Sequence, residues 1–147
     1  MIIRGDARRI PLRDETVQCV VTSPPYFQLR DYQCGERQIG LESTPEAYIA
    51  GLVKAFREVH RVLRRDGVLW LVLGDSYCGP SSSQRSLQHP ALKPKDLIGI
   101  PWRIALALQA DGWYLLRGQI LATTALIALR DHAAVIIMTL VNEGFIP

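Results

Sequence analysis

Residues 44–74, "TPEAYIAGLVKAFREVHRVLRRDGVLWLVLG", join a helix pattern to a strand pattern with almost nothing between them. Thr44 followed by Pro45 offers a side-chain cap and a proline in the first turn, where a missing N–H costs nothing. Ile49, Leu52, Phe56, Val59 and Leu63 then recur at spacings of three and four, which makes one helix face apolar. Arg61, Arg64 and Arg65 crowd the far end, where cations suit the helix dipole, and Gly67 offers a left-handed cap. "VLWLVLG", residues 68–74, is an unbroken apolar run of strand length. Upstream, "TVQCVVTS", residues 16–23, is a β-branched run of the length expected for a buried parallel strand. Strand, long helix, strand predicts a right-handed βαβ crossover.

Working outward, "MII" predicts a very short strand before a polar turn, and residues 27–44 a long loop. The segment from Asp75 to Asp96 is rich in Gly, Pro and Ser and predicts a polar, mobile loop. A second helix is expected from near Pro101 to near Gly112, with Trp102, Ile104, Ala105 and Leu108 as its apolar side, and then a strand, "WYLLRGQIL". The fold class is therefore α/β, a Rossmann-like, mostly parallel sheet. With 147 residues, 48% apolar and 21% charged, the chain fits one globular domain rather than a disordered segment. A net charge of +3 permits contact with a polyanion without requiring it. Cys19, Cys34 and Cys78 are too dispersed for a zinc site or a disulfide framework, so a reducing, cytoplasmic setting is expected. The first twelve residues carry no apolar signal-peptide core. Residues 119–141 are strongly apolar, yet Arg130, Asp131 and His132 sit near their middle, where lipid would penalise them. A buried helix or strand pair is expected there, and no membrane partner.

In an open parallel sheet ligands gather at the carboxyl ends of strands. "SPPY", residues 23–26, lies at one such end and "GDSY", residues 74–77, at the next. Proline fixes φ and has no N–H, so Pro24 and Pro25 hold the chain extended and free their carbonyls to accept. A rigid carbonyl beside the Ser23 hydroxyl makes two acceptors suited to an exocyclic –NH₂. Binding both hydrogens draws the nitrogen lone pair out of ring conjugation and toward an electrophile. Tyr26 supplies a face on which a heterocycle can stack, worth about 1–3 kcal/mol. The same tetrapeptide also serves simply to end a strand beside an ordinary tyrosine, and four residues alone do not separate the two readings.

The stretch "GDARRIPLRDETVQCVVTSPPY" resembles the opening of the DNA amino-methyltransferases of the N4-cytosine and N6-adenine type, where a "GD" and a turn lead into a strand ending in (S/D/N)PPY. The likeness continues through "LRRDGVLWLVLGD" and "LKPKDLIGIPWRIALALQADGWYL", so it covers residues 1–120 in the permuted order, catalytic motif first. The resemblance implies a flipped base in double-stranded DNA whose amino nitrogen takes the methyl of S-adenosyl-L-methionine. Carried over by position, Ser23 and Pro24 accept from the amine, Pro25 stiffens the turn and Tyr26 stacks on the base. Asp6 matches a position near the cofactor's adenosine, and Asp75 and Tyr77 match a neighbouring loop without a definite role. Serine in the first place of the motif resembles the N4-cytosine subset more than the adenine enzymes. Glutamine-side-chain methyltransferases carry NPPY instead.

The family's cofactor loop, FxGxG, has no counterpart. No two of the eleven glycines are separated by a single residue. From Arg117–Gly118 onward the sequence leaves the family's pattern, so the expected division is a catalytic part, residues 1–120, and a divergent apolar tail, residues 121–147, packed against the sheet. Two alternatives follow: a truncated amino-methyltransferase, weak or inactive alone, or a non-catalytic remnant or half-enzyme that needs a second chain for the glycine loop. Arg30, Arg37, Arg85, Lys93 and Lys95 flank the expected rim, where they either grip phosphates or are ordinary solvated charge.

Overall fold

The computed structural model describes residues 2–35, 38–79, 89–121 and 135–142. Arg37, Arg85, the Arg130–His132 triplet and residues 122–134 and 143–147 of the tail lie outside the described residues. Six elements follow in order: β1 (Val17–Thr22), α1 (Pro45–Val62), β2 (Leu63–Gly74), α2 (Ile100–Ala110), β3 (Tyr114–Leu121) and β4 (Val135–Val141). The sheet order is β1-β2-β4-β3. β1 and β2 pair in parallel across the α1 crossover, and β4 pairs antiparallel with both β2 and β3. Three of these four strands therefore point the same way, as the α/β reading expects. The tail contributes residues 135–141 as a strand inside the sheet, supplying backbone partners to β2 and β3 together.

α1 begins as its sequence dictates. Ala47 N donates to Thr44 Oγ1 at 3.2 Å, and Pro45 occupies the first turn. Its buried side is Tyr48, Leu52, Ala55, Phe56, Val59 and Val62, which packs with Ile104 and Leu108 of α2 over Leu69, Leu71 and Leu73 of β2. The helix stops at Val62, earlier than the arginine-rich end suggests. Leu63, fully buried, takes extended backbone and pairs with Val17. The register then jumps to Cys19↔Val68, so Arg64–Gly67 bulge from the ladder and Gly67 is a bulge residue rather than a helix cap. A Cβ there would lie 2.8 Å from the Arg64 carbonyl oxygen.

Two expectations fail for one reason. β1 is parallel to β2 as expected but is not buried: among the described residues it is the sheet edge, with Val21 72% exposed. Trp70, its neighbour across the β1/β2 ladder, is 40% exposed. Leu69, Leu71 and Leu73 face the helices, whereas Trp70 projects from the opposite side, which the described helices leave uncovered. The expected strand at "MII" does not form in the described residues, since residues 2–5 find no sheet partner. The N-terminal segment is instead tied to α1. Glu58 accepts from Ile10 N, while Arg61 donates to the carbonyls of Ile10 and Leu12 and to Asp14. Hydrogen bonding from Arg61 holds the Glu58 carboxyl below the usual carboxylate range.

The loop after β2 is pinned at its root rather than wholly unpacked. Cys78 and Lys95 bracket it with backbone hydrogen bonds, and Ile98 N donates to the Ser76 carbonyl. Asp75, only 4% exposed, accepts from Ser76 N, from Gly99 N at 3.1 Å and from Ile100 N at 3.0 Å. Gly99 sits left-handed before α2 and has no side chain to cap it, so Asp75 caps the helix from 24 residues away. Asp75→Ala should lower stability by about 2 kcal/mol, because buried helix N–H groups lose a charged acceptor. Chemical denaturation followed by circular dichroism reads this. Asp75→Asn should recover part of the loss, and an Asp75→Ala protein as stable as wild type would refute the capping account.

Candidate active site

The carboxyl end of β1 opens onto a cleft of about 530 Å³ between that strand, α1 and the N-terminal segment. Ser23, Pro24 and Pro25 form part of its wall, Asp6 stands on the opposite segment, and Leu52, Phe56 and Val59 of α1 contribute apolar surface. Four of the five residues singled out by sequence thus meet at one cavity. Tyr26 stands beside it rather than in its lining.

The geometry of the corner follows from its neighbours. Ser23 Oγ donates to the Tyr26 hydroxyl at 3.2 Å. With its proton so directed, the serine oxygen keeps lone pairs for a donor arriving from elsewhere. Tyr26 is half-buried, and its ring lies where a side chain on Gly74 would stand: a Cβ there would be 2.7 Å from Cδ2 and Cε2. The end of β2 therefore seats the aromatic ring of the neighbouring strand's loop. The Pro25 carbonyl accepts from the Tyr48 hydroxyl at 2.8 Å. Gly40, at φ 110°, presses from the other side, since a Cβ would come within 3.2 Å of both Pro25 Cβ and the Tyr26 carbonyl oxygen. Gln28 N donates to the Gly40 carbonyl at 2.6 Å and closes the turn.

Asp6 is exposed and engaged by its near neighbour. Its carboxylate accepts from Arg8 N and from both Nε and Nη2 of the Arg8 guanidinium, at 2.9–3.0 Å. That hydrogen bonding raises the Arg8 ionisation further above its ordinary range. Asp75 is not among the residues that line the cleft; its carboxylate accepts from the first N–H groups of α2. Tyr77 is exposed and bridges to Leu97. Arg30, Lys93 and Lys95 are solvent-exposed. Among the described residues no cluster of His, Cys, Asp or Glu is placed to hold a metal, and no described helix is long and apolar enough to cross a membrane.

Sequence reasoning missed Tyr48, Gly40, Gly74 and Asp75 in these roles. Tyr48 had a signal, since it lies one helical turn before Leu52 on the apolar face. The glycines and Asp75 act through partners distant in sequence, which no local pattern announces.

Residues 17–124 match the DNA methylase family of N6 and N4 methyltransferases. The type II methyltransferase M.SmaI of Serratia marcescens is 51% identical over 130 residues, which cover 78% of this chain and 44% of the relative. M.Cfr9I of Citrobacter freundii is 48% identical over 132 residues, covering 78% of this chain and 43% of the relative. The chain thus spans less than half the length of these curated relatives. Among solved structures, the protein TTHA0409 of Thermus thermophilus complexed with S-adenosyl-L-methionine superposes with a TM-score of 0.65 at 22% identity, over 97% of this chain and 53% of that one. The cytosine-N4-specific PvuII DNA methyltransferase gives 0.61 at 15% identity, over 96% and 48%. These two establish the fold, and the family follows from the sequence match. The chain belongs to the N6/N4 DNA methylase family.

Proposed function

We propose that this chain carries the amine-gripping part of an S-adenosyl-L-methionine-dependent DNA methyltransferase that acts, in the cytoplasm, on a base flipped from double-stranded DNA. The observation that carries the reading is the meeting of Ser23, Pro24 and Asp6 at one cleft. In it, Ser23 Oγ and the Pro24 carbonyl accept the two amino hydrogens, which turns the nitrogen lone pair outward. Pro25 keeps the corner stiff, and Tyr26 offers its ring to the base. When bound, S-adenosyl-L-methionine would supply an electrophilic sulfonium methyl in line with that lone pair, so that the N–C bond would form as the S–C bond breaks, S-adenosyl-L-homocysteine would leave as the thioether, and the methylated amine would give up one proton to water. Cytosine N4 is favoured over adenine N6 because serine stands first in the motif.

The residues present fit this cofactor only in part. Asp6 stands at the cleft, but its carboxylate is engaged by Arg8, and the chain has no glycine pair of the GxG kind to let backbone approach a ligand closely. The cleft is accordingly a half-site, weak or inactive alone, completed by further polypeptide that brings the glycine loop. The place of β1 at the sheet edge beside the cleft supports this reading, because among the described residues no strand pairs with its outer side and another strand can add there. A non-catalytic remnant is the alternative.

Titration calorimetry of the chain alone should show no micromolar binding of S-adenosyl-L-methionine; such binding would overturn the half-site reading. The chain mixed with the part of M.SmaI it does not match should gain cofactor binding and transfer labelled methyl to unmethylated DNA. A mixture that does neither would leave the remnant. In an active mixture, Ser23→Ala should slow transfer by about 10-fold to 100-fold, whereas Tyr26→Ala should mainly weaken DNA engagement, by about 1–3 kcal/mol. Equal, negligible effects would sink the role assignment. Chromatography of the digested product should show N4-methylcytosine; N6-methyladenine would reverse the base preference.

A further inference from the structure

Tyr48 lies in the second turn of α1, fully buried, with its ring tilted against Phe27 at 5.2 Å between centroids. A phenol so placed needs a polar partner, and it finds one in the Pro25 carbonyl. Burial raises its ionisation well above the ordinary tyrosine range, so the group remains an O–H donor under physiological conditions. Two consecutive prolines release two carbonyls and offer no N–H in return. Tyr48 takes the second of these. The hydrogen bonds among the described residues bring no donor to the first, that of Pro24. Gly40 on one side and the Tyr26 ring seated on Gly74 on the other limit how the corner can rotate about that anchor.

We propose that Tyr48 is a positioning residue for methyl transfer: by engaging the Pro25 carbonyl it fixes the corner so that the Pro24 carbonyl and the Ser23 hydroxyl remain the acceptors presented to the base amine. This rests on reading the corner as an amine grip, yet the brace itself is independent of that reading. It also gives the helix a part in the chemistry. α1 links the two parallel strands and, through one hydroxyl, sets which of two equivalent backbone oxygens is left for substrate.

Tyr48→Phe removes the hydroxyl and keeps the ring packing. Pro25–Tyr26 is the chain's single Pro–Tyr step, so isotope labels on proline carbonyls and tyrosine amides give one through-bond signal from this peptide. The variant should displace that signal while retaining the wild-type circular dichroism spectrum. In the active mixture it should lower kcat by about 10-fold to 100-fold, with KM for S-adenosyl-L-methionine unchanged. An unmoved signal overturns the proposal, and so does a displaced signal with unchanged kcat. If the variant does not fold, the wild-type protein decides: the Tyr48 hydroxyl proton should exchange slowly enough with water to be observed, and rapid exchange overturns the brace. Should no wild-type preparation transfer methyl groups, the amino-methyltransferase reading fails, while the labelled peptide still reports whether Tyr48 sets the corner.

Discussion

Strand β2 is the constraint on which the other elements depend. It is hydrogen-bonded along both edges, to β1 in parallel and to β4 antiparallel, and Leu69, Leu71 and Leu73 bury one face beneath both helices. Its position fixes where β1 ends and hence where the diproline corner stands. Gly74, its last residue, and Asp75, the next, then act on separate targets. Gly74 leaves room for the Tyr26 ring, and Asp75 caps α2. A Cβ at the first or a lost carboxylate at the second would be felt in different parts of the molecule, although the two residues are adjacent in the chain.

The polar interior follows a consistent logic. Buried or half-buried backbone groups that the sheet and helices leave over are met by side chains from afar: Asp75 for the start of α2, Tyr48 for Pro25, and Glu58 with Arg61 for the segment around Ile10. The last pairing also serves the site. It holds the N-terminal segment beside α1, which is how Asp6, a residue in an exposed turn, comes to share a cleft with Ser23. A cleft assembled in this way draws its geometry from the crossover helix at least as much as from the loop that carries the diproline corner.

Membership of the N6/N4 DNA methylase family accounts for the α/β fold, and the chain spans less than half the length of the curated relatives it matches. Among the described residues β1 is the edge of the sheet, and the face carrying Val21 and Trp70 has no helix packed on it. Parallel strands normally have cover on both faces, and among the described residues β1 and β2 have it on one.

The sequence by itself determined the α1 cap at Thr44–Pro45, the βαβ crossover, the α2 span and the grouping of Ser23, Pro24, Pro25 and Tyr26, since each is written in residues close together in the chain. It did not determine that α1 stops at Val62, that β1 is an edge, that residues 135–141 enter the sheet, or that Asp75 serves α2 rather than the cleft. Those outcomes depend on competition between partners far apart in sequence. Leu63 leaves the helix because burial against Val17's strand and the core outweighs another helical turn. Tertiary structure alone decided which carbonyl of the two prolines is occupied, because the donor, Tyr48, reaches it from 23 residues away.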